Sequence, residues 1–403
     1  MKKLLLSALA LGLATITNAQ TWTQQTSGIT SQLNGVKFTD IQNGWAVGDG
    51  GIILNTTNGG STWSSINNLF TGSPINFTEL DVIGNSVWAC TDNALVLYST
   101  DAGNTWSVST TPTVTMGTSL KEINFSRQNT NNGWAVGGSS TAGIVFKTTD
   151  GGANWTSVNN VPSLSNMPSG VQIISSTIFI TDAGMFKKSV DGGLNWTTLN
   201  VATNIMKPIA LTTSDIWCIQ GLNNSQFAYK STNGGSVFNS FSSTLPMSGY
   251  LINIDAIDLN NVMLVSYTGS GYEVFETNNG GVLWSATNLG TITGYVNDIS
   301  FPDFNNAWVV GNNGNIYKYG SATNIKTEKN ETNFSIYPNP SKDIITISSN
   351  AQIGEVIISD ILGNTVCTVN VKNNEQTIDL SLLYSGIYFI TVSNTTTKKI
   401  IKE

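Results

Sequence analysis

Short apolar runs punctuate this chain at nearly even spacing, centred on Trp45, Trp88, Trp134, Phe179, Trp217, Met263 and Trp308. The intervals are 43, 46, 45, 38, 46 and 45 residues, so one unit occurs seven times. The run GWAVG at Gly44–Gly48 recurs intact at Gly133–Gly137, and NAWVVG at Asn306–Gly311 is close to it. An alternating stretch precedes each run, as in Asn34–Phe38, Lys121–Phe125 and Asp298–Phe301, and another follows, as in Gly51–Asn55 and Gly314–Tyr319. Alternation of period two marks a strand with one buried face. After the third strand comes an octapeptide in six copies: TTNGGSTW from Thr56, STDAGNTW from Ser99, TTDGGANW from Thr148, SVDGGLNW from Ser189, STNGGSVF from Ser231 and TNNGGVLW from Thr277. It predicts a tight turn into a fourth strand carrying the terminal Trp.

Seven units of four short strands predict an all-β chain with a seven-bladed β-propeller over residues 20–320. The competing arrangement is an open solenoid. The seventh unit stops after Tyr319 without an octapeptide, while Thr21-Trp22-Thr23 matches the residues that follow a turn elsewhere, such as Thr62-Trp63-Ser64. The first strand of the mature chain is therefore expected to complete the last blade, leaving no exposed sheet edge. Residues 321–333 read as a polar linker. Residues 334–403 carry seven further short strands, as expected of a small immunoglobulin-like β-sandwich.

Residues 1–19 read as a secretory signal peptide: Lys2 and Lys3, an apolar stretch from Leu4 to Ile16, then Thr17-Asn18-Ala19. No later segment has the apolar length of a membrane-spanning helix. With the leader removed, the net charge moves from −7 to −9, which speaks against nucleic acid as a partner. The chain has no histidine and a single arginine, Arg127. A His-based catalytic triad is excluded, and the distant Cys90, Cys218 and Cys367 lack metal-ligand spacing, so neither metal nor other cofactor is expected. The cysteines are expected to be buried free thiols.

In the octapeptide the third residue is Asn58, Asp101, Asp150, Asp191, Asn233 or Asn279. Asn keeps the side-chain acceptor and loses the charge, so the acceptor is what the turn uses, and the position reads as structural rather than calcium-binding or catalytic. Aligning the seven innermost strands on their apolar residues brings Gly35, Glu79, Glu122, Gly170, Pro208, Asn253 and Asp298 to one level. Glu79, Glu122 and Asp298, on one side of the ring, form a candidate ligand-binding acidic patch at the channel mouth. The plainer reading makes them solvated residues at strand starts.

The octapeptide resembles the Asp-box (BNR repeat) of sialidases, sortilin-type receptors and xyloglucanase propellers, and its combination with GWAVG is most similar to the photosystem II assembly factor propellers. The resemblance implies the fold. Sialidase activity needs three arginines where this chain has Arg127 alone, the assembly factors use an arginine-rich surface that is missing, and xyloglucanases set their carboxylates between two propellers. From Phe334 the chain resembles the type A C-terminal sorting domains of the type IX secretion system of Bacteroidetes, through Tyr337-Pro338-Asn339-Pro340, Asp360, Gly363, Gly386, Tyr388 and Lys402. That resemblance implies delivery by the type IX machinery to the cell surface or the medium. The expectation is an exported recognition module for a glycan or a protein. The alternatives are a glycoside hydrolase using channel-mouth carboxylates, and an adhesion element without a discrete ligand. No catalytic residue is assigned.

Overall fold

The structure is a computed structural model that describes residues 20–66, 75–165, 168–182, 185–200, 205–220, 227–241, 249–290, 292, 294–321, 334–350, 352–360, 365–392 and 396–403. The expected leader and residues 322–333 of the expected linker lie outside these. Contacts divide the chain into two compact units, Met1–Ala322 and Thr323–Glu403.

The alternating runs of the first unit form seven four-stranded antiparallel sheets among the described residues. Their innermost strands, numbered here as blades one to seven, are Leu33–Phe38, Phe77–Ile83, Ser119–Phe125, Gly170–Ile174, Ile205–Ala210, Tyr250–Ala256 and Val296–Asp303. Each adjoins the next, and the seventh adjoins the first. The ring is closed by Gln20–Gln25, which pairs antiparallel with Ile316–Ser321, setting Trp22 opposite Tyr319 and Gln24 opposite Tyr317. Trp22 also donates its indole N–H to Thr287 Oγ1 of blade six at 3.1 Å.

The two repeated sequence elements interlock between neighbouring blades. Trp88, Trp134, Trp217 and Trp308 of the second strands are at most 1% exposed. The Asp-box Trp of the following blade meets two of them edge-on, Trp134 with Trp196 and Trp217 with Trp284, and Trp106 meets Trp45 of blade one in the same way. The second glycine of the turn permits this approach. At Gly193, with φ +89°, a Cβ would stand 2.4 Å from the Trp134 ring. Above the same indoles, Lys147 and Lys230 reach across to accepting carbonyls of Gly192 and Gly280 at 2.9 and 2.8 Å. Fourth strands such as Ser64–Ser65 and Ser107–Val108 begin just after the Asp-box Trp, which corrects the expectation that the Trp lies within them.

In the second unit, Phe334–Tyr337, Ile344–Ser349 and Glu375–Asp379 form one sheet, and Gly354–Ser359, Thr365–Val371, Gly386–Val392 and Thr396–Lys402 form another. A single core that includes Phe334, Ile347, Ile358, Ile378 and Ile390 joins them, giving a β-sandwich. All three cysteines are free. Cys90 and Cys218 are buried, and burial pushes the Cys90 thiol up to about 12, whereas Cys367 is only half-buried, against expectation.

Candidate functional site

An innermost propeller strand has one edge with no neighbouring strand, so its buried N–H groups need other partners. Side chains of the neighbouring blade supply them. Asp81 of blade two accepts from the Phe125 N–H of blade three at 2.7 Å, Asp255 from Phe301 N–H at 2.8 Å, and Asp298 from Val36 N–H at 2.8 Å. Ser300 Oγ and Asn124 Oδ1 accept from Phe38 and Ile173 N–H in the same way. These side chains staple the ring from inside. Arg127, the chain's one arginine, is tied to Asp81 through two bonds of 2.7 and 2.8 Å, which explains why it is unavailable as a substrate clamp.

Nearer the starts of the strands lies a second charged layer. Strand pairing sets Glu79 opposite Cys90, Glu122 opposite Val136 and Asp298 opposite Val310, each two residues beyond the Trp of the second strand. In blade five Met206 pairs with Ile219 and Ile209 with Trp217, leaving Lys207 and Pro208 in the irregularity between them, and counting two residues back from Ile209 puts Lys207 at that level. The expected placement of Pro208 is thus one residue out. Anchoring instead on the buried residue two positions upstream, Leu33, Phe77, Leu120, Ile205, Leu251 or Val296, finds Lys207 from sequence. Pro208 then falls where the other blades point an N–H at the channel, a place where a proline gives up no ladder bond.

The structure brings all three expected carboxylates to one cavity of about 220 Å³ along the channel, and Lys207 with them. Lys207 Nζ spans the channel from blade five to Glu79 Oε2 at 3.1 Å and Glu122 Oε2 at 3.4 Å. Its backbone sits at φ +46°, a left-handed conformation costly for a residue with a side chain. Glu79 and Asp298 are 6% and 7% exposed, so neither is a solvated strand-start residue. Burial, held back by Lys207 and reinforced by Glu122, pushes the Glu79 carboxyl up to about 7. Burial and the neighbouring Glu79 do the same to Asp298, also to about 7, and burial raises Glu122. Burial works against the Lys207 charge, but the fields of Glu122, Glu79 and Asp298 prevail and hold it well above its usual range. The layer is therefore a mixed cluster rather than a bare acidic patch. It presents an ammonium among three carboxyls whose burial favours the protonated form, Glu79 and Asp298 being pushed up to about 7.

In all six Asp-box turns, Oδ1 of the third residue accepts the N–H four residues on, at 2.9 Å from Asn58 to Thr62 and 2.8 Å from Asp101 to Thr105. Asp150, Asp191, Asn233 and Asn279 repeat it at 2.9–3.0 Å. Asp and Asn make the same bond.

In the C-terminal unit Tyr337 donates its hydroxyl to Glu375 Oε1 at 2.9 Å, and Tyr388 donates to the Tyr384 carbonyl at 2.9 Å. Gly386 opens its strand, Asp360 follows another, and Lys402 pairs with Asp343 at 3.2 Å. Pro338, Asn339 and Pro340 run from the first strand towards Ser341. Gly363 lies outside the described residues.

Fold and channel define an Asp-box propeller carrying an export module. Residues 335–403 match the secretion system C-terminal sorting domain family, and residues 14–114 match the photosynthesis system II assembly factor YCF48 family. The chain is thus a secreted protein delivered by the type IX secretion system to the cell surface or beyond, and its residues 14–114 are similar to the YCF48 repeats. No curated protein matches it. Among solved structures, YCF48 bound to D1 peptide is 19% identical with a TM-score of 0.60, covering 76% of this chain and 96% of that one. A GH74 xyloglucanase from Xanthomonas campestris is 14% identical with a TM-score of 0.58, covering 74% and 53%. PorZ, a surface component of the type IX secretion system of Porphyromonas gingivalis, is 14% identical with a TM-score of 0.50, covering 91% and 58%. At these identities the likeness establishes fold alone.

Proposed function

We propose that the propeller is a recognition module that binds an extended polypeptide at the channel mouth, through Lys207, Glu79 and Glu122. The observation that carries this reading is the position of Lys207 between the two glutamates. A hydrolase needs the space between its carboxyl pair for the glycosidic bond, and here an ammonium fills that space. Sugar sites rely on exposed aromatic faces. The one aromatic among the described lining residues is Phe125, which is fully buried and stacked on Trp88. Main-chain carbonyls and amides suit this lining better. Lys207 spends two N–H donors on the glutamates, leaving a third for a carbonyl. A propeller of similar fold is known with a bound peptide, which supports a polypeptide over a glycan. Both oxygens of Asp298 are engaged, with Val36 N–H and Asn253 Nδ2, and those of Glu79 are held by Leu80 N–H and Lys207, so these two groups frame the site around the Lys207 ammonium.

The test is a peptide array and a glycan array probed with the mature full chain and with Lys207→Met. Peptide binding that is lost in the variant is the expected result. Glycan binding without peptide binding, or turnover of a polysaccharide, overturns the reading.

A further inference from the structure

The last strand of the chain, Thr396–Lys402, is an edge strand of its sheet, paired on one side with Gly386–Val392. Its other side would present unpaired groups, the usual template for adding a strand from another chain. Those groups are taken. Asn339 Nδ2 donates to the Lys399 carbonyl at 2.9 Å, while Asn339 Oδ1 accepts the Ile401 N–H at 2.9 Å. One residue further, the Ser341 N–H donates to the Ile401 carbonyl and the Glu403 N–H to the Ser341 carbonyl, both at 2.9 Å. Four successive outward-facing groups, from Lys399 O to Glu403 N–H, are thus closed by the segment that follows the first strand. Lys402 anchors the same corner through Asp343, which in turn accepts the Leu380 N–H with its main-chain oxygen.

The Asn339 side chain does here what a paired strand would do: its amide mimics a peptide unit, giving one donor and one acceptor at adjacent outward positions of the terminal strand. Asp cannot supply the donor, and Ser lacks the reach for both bonds.

We propose that Asn339 is a positioning residue of the export signal, and that the machinery reads the folded clasp formed by 337–341 with 399–403 rather than a free terminal strand. The signal then exists only when both ends of the sorting domain have met. It also follows that this edge is closed to strand addition while the clasp holds.

The experiment compares Asn339→Ala and Ile401→Pro in the full chain, expressed in a host with a working type IX system. Ile401→Pro removes the outward N–H that Asn339 receives, together with a part-exposed side chain, at an edge position where proline is tolerated. Each variant is scored for the fraction exported and, after purification, for hydrogen exchange of the Glu403 amide, and in Asn339→Ala also of the Ile401 amide, against those of Gly386–Val392. Losing one or two such bonds should raise exchange about tenfold at Glu403 in both variants and at Ile401 in Asn339→Ala, with the inner strand still protected. Export should fall steeply in both variants, and the double variant should be no worse than either alone. Wild-type export with the terminal amides exposed, or loss of inner-strand protection together with theirs, overturns the proposal. A chain truncated after Gly320 marks the level of complete failure.

Discussion

Replacing Glu79 by Gln should make the propeller's stability depend less on pH, in a direction fixed by the channel cluster. Burial pushes the Glu79 carboxyl up to about 7 in the folded protein, from the 4.5 usual for a glutamate in water. A raised acid keeps its proton in the fold while the unfolded chain releases it, so its contribution to stability is complete below about pH 4.5 and declines as pH rises through 7. Between pH 5 and pH 8 that loss amounts to about 2–3 kcal/mol for a shift of this size in a fully buried group. The Gln variant cannot undergo it. Urea unfolding followed by tryptophan fluorescence is the assay, because all eleven tryptophans lie between Trp22 and Trp308 and leave the sorting domain silent. At pH 5 the variant is expected to be equal to or weaker than the parent, having lost one Lys207 partner. By pH 8 its stability relative to the parent should have risen by about 2–3 kcal/mol. A difference that stays constant across this range, or that moves against the variant at the higher pH, refutes the assignment of Glu79 as a desolvated, proton-holding group.

Lys207→Met leaves buried Glu79 and half-buried Glu122 facing one another, and unfolding at pH 8 should show a loss of about 3–5 kcal/mol that shrinks at pH 5, where the carboxyls take up protons instead. Gly193→Ala, at positive φ and against Trp134, should cost more than about 2 kcal/mol in the same assay, the sum of backbone strain and a displaced ring. Asp101→Asn should leave the melting temperature unchanged while Asp101→Ala lowers it, since the turn requires an acceptor and not a charge. Deleting Gln20–Gln25 should abolish cooperative unfolding of the propeller, read by calorimetry, because blade seven then lacks its outer strand.

Blade number and closure were legible because they rest on periodic signals: the Trp of each second strand, the Gly pair of each turn, and an orphan strand at either end. The channel was legible only in part. Carboxylates stand out at strand starts in Glu79, Glu122 and Asp298, but Lys207 sits beside Pro208 in a bulge, and an irregular register shifts an alignment made on apolar residues by one place. The inner layer of Asp81 and Asp255 gave no signal as staples. Their role comes from edge N–H groups of another blade, a relation between residues about 45 positions apart. Asn339 was visible as part of a motif, yet its partners lie some 60 residues away at the other end of the domain.

The strand that seals the ring arrives first in the chain, and its partner, Ile316–Ser321, arrives after every blade has been made. The export tag is encoded later still. A polypeptide cut short before its seam can be sewn therefore also lacks the address that would send it out, so the order of parts along the chain screens defective propellers without any separate inspector.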